Sequence, residues 1–140
     1  MTWLVGILLM AAAEEPPADC YRAKTMKDVR LCMDDARHAE MEMQDTYYDQ
    51  LQKLDMAGRE DDYKKLVVAQ RAWQNERHES CNKISEHWGN GSIRDAYYVA
   101  CMKERAEQRT AEIQGKPAPP SHAPPTESAP QPDGAEQEKK

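Results

Sequence analysis

At 140 residues the chain has room for one domain, and its aromatic content of 6%, with no Phe, restricts the core to Leu, Met, Ala, Tyr and Trp. So thin a core leaves a small stability margin and makes covalent cross-links the natural supplement. The net charge of -6 lies mostly at the ends, since positions 20–114 hold sixteen Lys or Arg against eighteen Asp or Glu, and the absence of a clustered basic face argues against nucleic acid as a partner.

Residues 3–13 form an apolar run too short to cross a bilayer, with Ala11 and Ala13 as the small residues of a signal-peptidase site. Residues 1–13 therefore read as an export signal and 14–19 as a linker. The basic residues that usually open such a signal are missing, Met1 and Thr2 alone preceding the run. Pro17, Ala18 and Asp19 stand before Cys20 where lipidation requires a small apolar box, so no stable membrane anchor is expected.

A first helix is announced by Thr25, with Asp28 three residues on as its capping-box partner. Cys32, Ala36, Ala39, Met43, Tyr47, Leu51 and Leu54 then recur at spacings of three or four, one apolar stripe on a helix that Gly58 ends. Glu60, Asp61 and Asp62 put three acids in the first turn of a second helix, where exposed N–H groups favour negative charge. Its inner face is Tyr63, Leu66, Val67, Gln70, Trp73, Arg77, Cys81 and Ile84. Gly89 and Gly91 break it. Ser92 with Asp95 repeats the capping signal for a third helix carrying Tyr97, Ala100, Cys101, Glu104 and Thr110 towards Ile113, and Gly115 and Pro117 stop that one.

Beyond Gly115 lie seven of the nine prolines, among Ser, Glu, Gln and Ala, so residues 115–140 read as a disordered, solvated tether. The fold class predicted for 20–114 is all-α, an antiparallel three-helix bundle whose middle helix is shared by two hairpins.

Cys20, Cys32, Cys81 and Cys101 are an even set behind an export signal, which points to two disulfides in an oxidising compartment. Zinc is disfavoured, because no Cys-x-x-Cys and no suitably spaced histidine is present. Cys81 and Cys101 reach nearly the same height about the glycine turn at about 1.5 Å rise per residue. That favours bridging Cys81 to Cys101 and Cys20 to Cys32, while the nested pairing of Cys32 with Cys81 and Cys20 with Cys101 stays open.

The stretch Ala69, Gln70, Arg71, Ala72, Trp73, then Arg77 and Cys81, the turn Gly89, Asn90, Gly91, Ser92, and Ala100, Cys101, Glu104, Arg109 and Thr110 resemble the LprI-type lysozyme inhibitor family. The resemblance covers about two-thirds of the chain and all four cysteines. It implies an exported helical domain and inhibition of a lysozyme. Three features depart from the family pattern: Glu76, Arg77 and His78 stand where an aromatic, Arg and Asp are common, Asn90 separates the two turn glycines, and the proline-rich tail lies outside the pattern.

Of the signature residues, Gln70, Arg71, Trp73 and Arg77 share the central helix and read as structural, Trp73 as a core anchor and the two arginines as partners for the acidic flanking helices. No strand-to-helix elbow presents Ser80, Ser85 or Ser92 as a nucleophile, so no enzyme activity, cofactor or metal is expected. A binding protein of the bacterial periplasm or exterior is expected instead, with a protein partner such as a lysozyme. His87, Trp88, Asn90, Ser92 and Arg94, in and around the turn, are its candidate contact residues. A non-inhibitory envelope adaptor is the alternative.

Overall fold

The computed structural model describes residues 19–88 and 91–124, without the side chains of Trp88, Ser92 and Ile93. The expected export signal, most of the linker before Cys20, and the tail from 125 to 140 lie outside the described residues. Among those described, a single 3-10 turn (Cys20–Arg22) precedes three helices: α1 (Met26–Met56), α2 (Glu60–Trp88) and α3 (Ser92–Ile113). No strand is present among them.

The helix ends follow from their capping chemistry. Thr25 Oγ1 accepts from the Asp28 N–H at 3.0 Å, while the Asp28 carboxylate accepts from the Lys24 N–H at 3.4 Å, one residue before the usual capping-box donor. At the other end Gly58 adopts φ 68°, and the Arg59 N–H returns to the Leu54 carbonyl at 2.9 Å, closing a Schellman motif. Gly115, with φ 67° and a Lys116 N–H bond to Ala111 O at 2.8 Å, ends α3 in the same way. The start of α3 differs from the sequence expectation. Ser92 is the first helical residue and Gly91, at φ 61°, holds the N-cap position, so no side-chain cap forms. The left-handed glycine turns the chain early enough for helix to begin one residue sooner.

The bundle runs up, down and up, so α1 and α3 are parallel. The shared helix is α3 rather than α2: α3 packs extensively on both neighbours, and the α1–α2 contact is the smallest of the three. Side-chain size explains the difference. The buried face of α3 carries Ala96, Ala100, Ala106 and Ala111, which let two helices approach closely, whereas the buried positions of α2 include Gln70, Arg77 and Ser85.

Two apolar clusters result. Cys20, Tyr21, Cys32, Cys81, Ala100 and Cys101 form one, near the glycine turn; Ala39, Met43 and Ala106, with Trp73 against them, form the other in mid-bundle. The sulfur atoms of Cys20 and Cys32 are bonded, as are those of Cys81 and Cys101, so the pairing favoured by residue counting is the one present. One bridge fixes the 3-10 turn to α1 and the other fixes α2 to α3. With partners 12 and 20 positions apart, each contributes about 3 kcal/mol in the chain-entropy estimate.

Candidate functional site

Three groups of polar side chains stand out, and each is positioned by the helix geometry. The first is a layer inside the bundle built from the signature residues. Gln70 is buried and bridges two helices, its amide nitrogen donating to Met43 Sδ at 3.2 Å and its oxygen accepting from Arg109 Nε at 2.9 Å. Arg77, whose side chain is 8% exposed, donates through both terminal nitrogens to the Glu40 carboxylate of α1. Its guanidinium lies 4.4 Å from the Trp73 ring centre, and that of Arg109 lies 5.7 Å away. Arg77 Nε and Arg109 Nη2 are buried without a hydrogen-bond partner. Attraction to the face of the indole offsets part of that deficit. Arg71 lies on the exposed side of α2, away from this layer.

The second group ties α3 to its surroundings near Tyr21. Lys103 Nζ meets Asp35 of α1 at 3.0 Å and Glu107 at 3.3 Å. Burial opposes the charge on Lys103, but the hydrogen bond to Asp35 and the charge of Glu107 outweigh it and hold the ammonium above its usual pKa. Tyr21 stacks at a tilt on Tyr97, ring centres 5.6 Å apart. Burial pushes its phenol well above the usual value, and the Glu104 and Asp19 carboxylates add to the shift.

The third group is at the glycine turn. Arg94 in the first turn of α3 reaches Glu86 on α2 at 3.6 Å, an exposed ion pair across the turn. His87, exposed in the last turn of α2, lines with Ser80, Lys83 and Ile84 a shallow, mainly apolar groove of about 350 Å³. Lower on the same helix, His78 Nδ1 lies 3.2 Å from the Tyr98 hydroxyl and its Nε2 lies 3.2 Å from Asn82, an edge-on arrangement between α2 and α3. Of the five turn residues singled out from sequence, the structure brings His87 and Arg94 to one end of the bundle. Asn90 and the side chains of Trp88 and Ser92 lie outside the described residues.

Sequence reasoning missed Glu86, Lys83 and Tyr98 in this region. Residue counting about the turn levels Cys81 with Cys101, and likewise Glu76 with Arg105 and Gln70 with Arg109, all of which are contacts, but it sets Tyr98 opposite Ile84 and so gives no signal for its contact with His78. Among the described residues no cluster of three or more His, Cys, Asp or Glu could hold a metal ion, and no helix is long and apolar enough to cross a membrane.

The fold and its polar layer define a class: a small three-helix domain stapled by two disulfides. The family model described as "Lysozyme inhibitor LprI" matches residues 19–113, and the chain belongs to that family. It is also similar to an uncharacterized protein of Rhizobium meliloti (strain 1021), 31% identical over 113 residues, which span 74% of this chain and 81% of the relative. No solved structure matches it.

Proposed function

We propose that this chain is an exported bacterial protein, periplasmic or secreted, that inhibits a lysozyme by protein contact and carries out no catalysis itself. Membership of the lysozyme inhibitor family over residues 19–113 is the observation that carries the proposal. Two disulfides suit a domain that works in an oxidising compartment.

The contact surface we assign is the α2–α3 turn with His87, Trp88, Asn90, Ser92 and Arg94. The long helix faces carry ordinary solvated charge pairs such as Lys53 with Asp49, Lys64 with Glu60 and Lys83 with Glu79. The turn end differs in presenting a cation, an imidazole and a shallow apolar groove together. A lysozyme cleft holds a carboxylic acid and a carboxylate flanking the sugar bond, so a narrow protrusion with donors and a cation complements it. Replacing Asn90, Ser92 and Arg94 together by alanine is expected to weaken inhibition at least tenfold, about 1.4 kcal/mol, with helicity unchanged. Undiminished inhibition by the triple variant would move the contact to a helix face. Recovery of an envelope assembly without any muramidase in a pull-down would favour an adaptor instead.

A further inference from the structure

Residues 116–124 have no regular secondary structure, as a proline-rich segment should, yet they do not leave the bundle: they double back along α3. Glu104, whose side chain is 12% exposed, is where they are held. Its carboxylate accepts from Ser121 Oγ at 3.0 Å, from the His122 backbone N–H, and pairs with His122 Nδ1 at 3.1 Å. Ser121 Oγ also accepts from the Ala123 N–H at 3.2 Å, which fixes the turn of the chain at that point. Ala123 then packs against the cluster of Cys20, Tyr21 and Ala100, and Pro119 and Pro120 wall a small cavity of about 100 Å³ beside Tyr21 and Lys103.

A carboxylate this enclosed needs donors to replace lost water, and an α-helix cannot supply them from its own backbone in mid-helix. The groove between the 3-10 turn and α3 thus has the parts of a peptide site: an acceptor at its centre, an aromatic and an alanine as floor, and prolines bound in extended form at low entropic cost. Glu104 lies within the residues matched by the family model, as does Tyr21, whose hydroxyl also hydrogen-bonds it, whereas the Ser121 and His122 donors lie beyond them. We propose that this groove is a docking site for an extended proline-rich segment bearing a hydroxyl and an imidazole side by side, and that residues 117–123 are its resident occupant.

The test uses the full chain. In the wild type the His122 amide is protected from hydrogen exchange. In the S121A/H122A double variant that protection is lost, and the amide signals of Cys20–Arg22 and of α3 around Glu104 shift. A synthetic peptide reproducing residues 116–124 is expected to restore those signals in the double variant at millimolar concentration, and to bind the wild type at least tenfold more weakly because its groove is filled. Adding E104Q to the double variant should abolish the response. An unprotected His122 amide in the wild type, unshifted signals in the variant, or a variant that ignores the peptide at millimolar concentration would each overturn the proposal.

Discussion

Arg77 and Arg109 share one indole, and the unequal exposure of their carboxylate partners decides what each substitution does. Glu40 is half-buried and opposite Arg77, whereas Glu112, which pairs with Arg109 at 3.0 Å, is largely in water. Glu40→Ala therefore leaves a buried guanidinium without its counter-charge and is expected to lower stability by about 3 kcal/mol in urea unfolding, with Glu112→Ala within about 0.5 kcal/mol of wild type. Equal effects would show that Arg77 is held mainly by Trp73. Tyr21 and Lys103 give a pH prediction. Both hold their protons more tightly when folded than when unfolded, so the stability they contribute is complete below about pH 10 and falls as pH rises beyond it. Unfolding midpoints measured across that range should decline, and Tyr21→Phe should shallow the decline. At this scale the sequence exposes Gln70, Trp73 and Arg77 as one inner face, but not Glu40 opposite them: an acid on a helix carrying seven others gives no sign of which one points inward.

Helix ends were legible for a chemical reason. Thr25, Gly58 and Gly115 act through backbone groups within a few residues, so their effect is local and readable. The identity of the shared helix was not, because it depends on comparing side-chain volumes across three elements at once. Alanines read as weak apolar positions in a single helix; between two neighbours they become the sites of closest approach. Ala106 is fully buried beside Met43 and Trp73, and enlarging it tests that account directly. Ala106→Leu should destabilise the domain by about 1–3 kcal/mol through overpacking. Ala72→Leu, at an exposed position of α2, should be nearly neutral. The docked segment after Gly115 escaped the sequence for a related reason. Its composition predicts a disordered, solvated tether, whereas 116–124, without regular secondary structure, lie against α3; composition says nothing of a single enclosed glutamate able to capture a serine and a histidine.

For the whole molecule, the net charge of -6 lies mostly at the chain ends, and positions 20–114 hold sixteen Lys or Arg against eighteen Asp or Glu, so electrostatics govern encounter more than affinity. With a basic lysozyme as target, association should be faster at low ionic strength and slow as the Debye length shrinks to about 8 Å at physiological salt. Dissociation should change much less. The proposed function requires the folded, oxidised domain to restrain a lysozyme by contact alone. Its most direct test is the clearing of a turbid peptidoglycan suspension by lysozyme, followed with and without the purified protein. Micromolar protein is predicted to slow clearing, with the effect saturating as lysozyme is titrated out. Clearing at an unchanged rate for every lysozyme class tried, with the protein folded and both disulfides intact, would contradict it.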